Sequence, residues 1–159
     1  MKIAEELQAV MREKGLTLST AESCTGGAIA ASITKIHDAS EYFLGSVVSY
    51  ANEVKIGVLG VPEGLIKEYG AVCPEVATAM WEGVLSAIGS DYAIAVTGIA
   101  GPGGGTSEKP VGTVWAVVGK RGEEPVVWNI GASGSREEII AQTVEAVLAK
   151  LLEIVKKTG

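Results

Sequence analysis

Apolar positions set the architecture before any single residue suggests chemistry. Ile3, Leu7, Val10 and Met11 recur at helical spacing, which predicts an amphipathic helix over 2–14 closed near Gly15. Leu16 to Ala21 alternates apolar residues with Ser and Thr and reads as a first strand. An alanine-rich helical run, Ala28 to Ile36, follows, and Leu44 to Tyr50 reads as a second strand. Asn52 is the expected N-cap of a short helix carrying Lys55 and ending near Gly60. Pro62 opens another short helix that stops at Gly70, and Pro74 opens a longer one to about Ile88. Tyr92 to Val96 is a short apolar run of the kind that forms a buried strand. Gly112 to Val118 and Val126 to Ile130 are strands joined by a hairpin through Lys120–Pro125. Ser133 or Ser135 caps a last helix to about Lys156, with Ile139, Ile140, Val144, Val147, Leu148, Leu151 and Val155 as its apolar stripe.

Helices and strands alternate early, and a hairpin closes the sheet late. That order predicts an α/β fold: a three-layer α/β/α sandwich, mostly parallel with at least one antiparallel strand. With no repeat and no linker, residues 1–159 read as one domain. Ligands of such sheets sit outside the carboxyl ends of the strands. Ser23–Gly27, Tyr50–Lys55 and Thr97–Gly105 all fall there and are the candidates for one pocket.

Composition narrows the partners. Apolar residues make up 47% and charged residues 20%, as in a globular chain, and the formal charge of −6 argues against non-specific nucleic-acid binding. No apolar run is long enough for a bilayer and no signal-peptide core is seen, so no membrane partner and a cytoplasmic location are expected. Cys24 and Cys73 are expected as thiols. No metal-ligand spacing occurs, and His37 is the only histidine. Trp81, Trp115 and Trp128 are scattered and read as core or interface rather than a stacking platform. A homo-oligomer is expected from the small size and apolar helices.

The chemistry concentrates at Ser23-Cys24-Thr25-Gly26-Gly27, between a strand and a helix. Backbone N–H groups at such a turn can face a developing oxyanion or a bound anion. Ser23 needs a base, and His37 lies about four turns away in helical spacing. A lysine lowered in pKa by burial can replace imidazole, and Lys55 is the best placed. Tyr50 shares that corner and could bond the serine hydroxyl or position substrate. Lys55 can equally be an exposed helix lysine, and Ser23 a turn hydroxyl. Cys24 is the rival nucleophile, with Glu22 beside it, or else an inert buried thiol. Four of the five residues 101–105 are glycine; the loop either brings N–H groups against an anion or is a flexible surface loop, and it fits neither a Walker nor a Rossmann pattern. Lys109 and Arg136 could add charge for a phosphate, or be solvated.

Four motifs occur in order: Ala21-Glu-Ser-Cys-Thr-Gly-Gly27, Val48-Ser-Tyr-Ala-Asn-Glu-Val-Lys55, Gly98-Ile-Ala-Gly-Pro102 and Glu108-Lys-Pro-Val-Gly-Thr-Val-Trp115. Together they resemble the CinA C-terminal domain family, the bacterial nicotinamide-nucleotide amidases, over nearly the whole chain. Gly70-Ala-Val-Cys-Pro74 also fits a family position, where serine is commoner than Cys73. The resemblance implies a five-stranded mixed sheet in the order 2-1-3-4-5 with strand four antiparallel. It implies hydrolysis of nicotinamide mononucleotide to nicotinic acid mononucleotide and ammonia, a step in pyridine nucleotide recycling, without metal or organic cofactor. Ser23, Tyr50 and Lys55 take the positions of the family's catalytic residues. Cys24, Thr25, Gly26, Gly27, Thr97, Gly98, Ile99, Gly101, Gly103 and Arg136 are then expected to bind the small nucleotide substrate. Many members carry the domain behind a larger N-terminal one, and this chain resembles the stand-alone form. A non-catalytic nucleotide-binding module and an amidase of another small carboxamide are the alternatives.

Overall fold

The computed structural model describes residues 2–157. Helix α1 (Lys2–Lys14) leads into β1 (Leu18–Glu22), α2 (Ala28–Thr34), a 3-10 turn (Ala39–Glu41) and β2 (Phe43–Val48). Three helices follow, α3 (Asn52–Gly57), α4 (Glu63–Tyr69) and α5 (Pro74–Ile88). Then come β3 (Tyr92–Gly98), β4 (Val114–Lys120), β5 (Val126–Asn129) and α6 (Arg136–Lys157).

The sheet runs β2-β1-β3-β4-β5. β1 pairs parallel with β2 and β3, and β4 pairs antiparallel with β3 and β5. The expected sandwich, strand order and antiparallel fourth strand are all present. On one face α1, α2 and α6 bury Leu7, Met11, Ile29, Ile33, Leu148 and Leu151 against Leu18, Ile94 and Val118. On the other, α5 lies across all five strands and buries Val76, Met80, Trp81 and Val84 against Ala21, Ala93, Ala95 and Val117. Each such aliphatic side chain contributes roughly 1.5–3 kcal/mol of transfer free energy.

Coverage on both faces explains why β3 is buried from Tyr92 to Thr97. β1 is equally buried yet carries Ser19, Thr20 and Glu22. Every one of these is matched: Ser19 Oγ lies 2.7 Å from Ser90 Oγ, and Thr20 Oγ1 donates to Ser46 Oγ at 2.7 Å. Its Ser/Thr alternation therefore marks a hydroxyl ladder inside the core, not a solvent face.

Element boundaries differ from expectation in a few places. Ala51, not Asn52, caps α3; its carbonyl accepts from Val54 and Lys55 N–H. The 3-10 turn was not expected from the pattern. The last helix is capped as a box by Ser135: its Oγ accepts from Glu138 N–H at 3.2 Å while Glu138 Oε1 accepts from Ser135 N–H at 2.9 Å.

The parallel pairs bring the carboxyl ends of β1, β2 and β3 to one edge. β5 runs in the same direction as β3, so the start of α6 reaches that edge as well. The chain leaves β1 toward β2 on one side and β3 lies on the other. The crevice of an open α/β sheet opens at such a divergence.

Candidate active site

A cleft of about 290 Å³ occupies this edge, near the lower end of the usual small-ligand range. Ser23 and Cys24 come to it from β1, Tyr50, Asn52 and Lys55 from the β2–α3 corner, Ala71 and Val72 from the turn before α5, Thr97 to Gly101 with Gly103 and Gly104 from the end of β3, and Arg136 from α6. A larger groove of about 700 Å³ lies elsewhere, along α5 near Leu59, Leu65, Glu82 and Val127, and holds no nucleophile–base pair.

Lys55 is the centre of the cleft. Its side chain is 1% exposed, and Nζ donates to Ser23 Oγ at 3.1 Å, to the Ser49 carbonyl at 2.8 Å and to the Tyr50 carbonyl at 3.4 Å. Among the described residues no carboxylate forms an ion pair with it, and burial lowers its pKa below the ordinary lysine value. The exposed-lysine reading of the sequence therefore fails. A buried amine hydrogen-bonded to a serine hydroxyl is the arrangement in which lysine can accept that proton.

Cys24 lies beside Ser23 and is 7% exposed, but burial pushes its thiol up to about 11. The thiol stays protonated at neutral pH, which disfavours it as the rival nucleophile. His37 has a solvated imidazole near Asp38, beyond α2 and away from the cleft.

The turn between them needs its two glycines. Gly26 and Gly27 have φ of 59° and 102°, a left-handed pair that side chains resist. Gly26 N–H bonds the Ser23 carbonyl at 3.0 Å. Thr25, Gly26 and Gly27 do not line the cleft. The N-terminus of α2 does not face it either, because the buried Glu22 carboxylate covers it. Glu22 Oε1 accepts from Ile29 N–H and Oε2 from Ala30 N–H, each at 2.9 Å.

Tyr50 sits differently from expectation. Its ring is 61% exposed, and its hydroxyl accepts from Arg136 Nη2 at 2.9 Å rather than meeting Ser23. Arg136 Nη1 also donates to the Gly101 carbonyl at 2.7 Å, so one guanidinium spans the cleft mouth from the glycine loop to the β2 corner. Thr97, Gly98, Ile99, Gly101 and Gly103 line the cleft as expected, although the Thr97 hydroxyl is committed to the Ala71 carbonyl at 2.9 Å. Lys109 points elsewhere: its amine bonds the Tyr69 carbonyl at the end of α4 and ties the loop down there. Sequence reading missed Ala71 and Val72 as lining residues, and it gave Asn52, inside the expected Tyr50–Lys55 segment, a capping role rather than a place in the site. Asn52 was legible as a polar residue three before Lys55, had the cap assignment not claimed it.

The family model of the CinA C-terminal domain matches residues 1–155. The chain belongs to the CinA C-terminal domain family. It is 52% identical over 122 residues to a CinA-like protein of Leptospira borgpetersenii, covering 77% of this chain and 29% of that one. A putative competence-damage inducible protein of Moorella thermoacetica is 47% identical over 140 residues, 88% of this chain and 34% of its own. This CinA domain thus spans about a third of the length of those relatives. Among solved structures it superposes on competence damage-inducible protein A (ComA) of Klebsiella pneumoniae with a TM-score of 0.95, at 34% identity over 99% of this chain and 98% of that one. The competence/damage inducible protein CihA of Agrobacterium tumefaciens gives 0.93 at 36% identity, covering 98% and 94%. Among the described residues no helix is long and apolar enough to cross a membrane, and no cluster of three or more His, Cys, Asp or Glu could hold a metal ion.

Proposed function

We propose that this CinA domain is a Ser-Lys amidohydrolase that converts nicotinamide mononucleotide to nicotinic acid mononucleotide and ammonia. The observation that carries the reaction class is the buried, hydrogen-bonded contact of Lys55 Nζ with Ser23 Oγ. Family membership supports this choice of substrate, as does a small cleft that carries the Arg136 cation at its mouth.

In this scheme neutral Lys55 takes the Ser23 proton as Oγ attacks the carboxamide carbon. The C–O bond forms, the carbonyl π electrons move to oxygen, and the oxyanion meets a backbone N–H group. Gly26 N–H is spent within the turn and Thr25 lies outside the cleft lining, so the N–H of Cys24, which lines the cleft beside Ser23, is the donor in this scheme. Protonated Lys55 returns its proton to the amide nitrogen, the C–N bond breaks and ammonia leaves. Water then attacks the acyl-serine with Lys55 again as base, releasing the carboxylate and regenerating the hydroxyl. Arg136 exchanges its Tyr50 and Gly101 contacts for the 5′-phosphate of the substrate.

The test is ammonia release from nicotinamide mononucleotide, beside nicotinamide riboside, which lacks the phosphate, and beside a binding titration. Turnover of the mononucleotide that vanishes in Ser23→Ala is the expected result. Binding without ammonia release by the wild-type domain points to a non-catalytic nucleotide module. Equal turnover of both compounds points to a different carboxamide.

A further inference from the structure

The mechanism leaves one buried charged side chain unused. Glu22 ends β1, immediately before the nucleophile, and is fully buried. Its carboxylate is saturated with donors. Oε1 accepts from Thr25 Oγ1 at 2.7 Å and from Ile29 N–H at 2.9 Å. Oε2 accepts from Ala30 N–H at 2.9 Å and from the Ser46 hydroxyl at 3.3 Å; Thr20 Oγ1, whose proton goes to Ser46 Oγ, also lies 3.3 Å away.

This pattern has a local cause. The N-cap of α2 is Gly27, in a left-handed conformation and with no side chain to cap the helix. Ile29 and Ala30 are then the second and third helical residues, whose N–H groups an N-cap side chain ordinarily serves. Glu22 serves them instead, from the strand before the turn. One carboxylate thereby clamps both ends of the Ser23–Gly27 loop: its own backbone is one end, the first turn of α2 is the other, and Thr25 is pinned between.

The main chain of the same residue holds the base. The Glu22 carbonyl accepts from Ser49 N–H at 2.8 Å and from Ser49 Oγ at 3.2 Å, and the Ser49 carbonyl accepts from Lys55 Nζ at 2.8 Å. We propose that Glu22 is a positioning residue: its side chain fixes the nucleophile turn while its carbonyl, through Ser49, fixes the lysine. This rests on the reading of Ser23 and Lys55 as nucleophile and base. Misplacement by even an ångström costs such a pair orders of magnitude in rate.

Glu22→Gln separates the two halves. The main chain is untouched, so Lys55 keeps its carbonyl partners. The amide has one acceptor oxygen. With that oxygen toward Thr25 and Ile29 and its NH₂ toward the Thr20 and Ser46 hydroxyls, Ala30 N–H is orphaned. Thr25→Val is the milder probe, removing only the tether to the loop.

The readout is covalent labelling of Ser23 by a fluorophosphonate, followed by intact mass across a pH series. It needs no natural substrate. The expected result for Glu22→Gln is a labelling rate constant at least tenfold below wild type. The endpoint stays at one label per chain and the pH midpoint, set by Lys55, does not move. Thr25→Val falls in the same direction by a smaller factor, and carries the test alone should Glu22→Gln fail to fold. A wild-type rate constant in the folded variants overturns the proposal. So does a lowered endpoint at an unchanged rate constant, the mark of a residue that only stabilises the fold. A wild-type protein that takes no label sinks the Ser-Lys reading itself, and the positioning role with it.

Discussion

Replacing Lys55 by Met keeps the length of the buried side chain and removes the proton acceptor. The structure sets the size of the loss. Ser23 Oγ has Lys55 Nζ as its described hydrogen-bond partner, and no other group in the cleft can stand in as base. The Cys24 thiol at about 11 is a protonated donor, the Tyr50 side chain is exposed with its hydroxyl directed to Arg136 rather than to Ser23, and His37 is remote. A positioned general base accounts for roughly 10²–10⁴ in rate, and nucleophile–base sets that act as a unit lose more. With no substitute available, a fall of about 10⁴ in kcat is expected, equal to about 5.4 kcal/mol of transition-state free energy. Lys55→Arg is the control, since it restores a cation and its donors but cannot give up its proton. The assay is continuous ammonia release under saturating mononucleotide, with circular dichroism melts to show that each variant is folded. More than about 1% of wild-type turnover in folded Lys55→Met, or substantial activity in Lys55→Arg, refutes proton transfer by this residue.

Three further outcomes follow from the same geometry. The neutral amine is the reactive form, and burial lowers the Lys55 pKa, so kcat/KM rises with pH around a midpoint below the ordinary lysine value near ~10.4; a rise centred at or above that value contradicts the desolvated base. Cys24→Ala keeps turnover within about tenfold, and iodoacetamide at neutral pH does not inactivate the wild type, because a thiol raised to about 11 is not a nucleophile there. Gly83→Ala puts a Cβ 2.0 Å from the Leu59 carbonyl oxygen, a backbone atom that cannot swing away, and is expected to destabilise by about 1–3 kcal/mol or more in a urea melt; an unchanged midpoint shows that α5 can shift from that loop.

The residues that sequence reading brought together were those whose chemistry is carried by neighbours in the chain. Ser23 sits between a strand and a glycine pair, and Lys55 a short step beyond the second strand, so strand-end logic alone put both at one edge. The lack of a usable imidazole was legible in the same way. What escaped was set by pairing across the sheet. Thr20, Ser46 and Glu22 meet because β1 and β2 align Thr20 with Ser46, a register that no local pattern encodes. Tyr50 and Arg136 are 86 residues apart, and their contact depends on β5 turning the chain back to the site. Glu22 read as a possible catalytic partner of Cys24, since a carboxylate beside a thiol suggests chemistry. Its use as a surrogate helix cap needed the left-handed Gly27, which a sequence shows only as glycine.

Among the described residues β2 has no strand beyond it. Lys55 hangs from that outermost strand, while Ser23 follows β1 in the interior of the sheet. Edge segments exchange their amide hydrogens through local opening that costs less than global unfolding. When Phe43–Val48 peels away, the base leaves the nucleophile although the rest of the sheet and α5 remain folded. Heat inactivation of this domain is therefore expected several degrees below its calorimetric melt, with protection from exchange lost in β2 before β1 and β3.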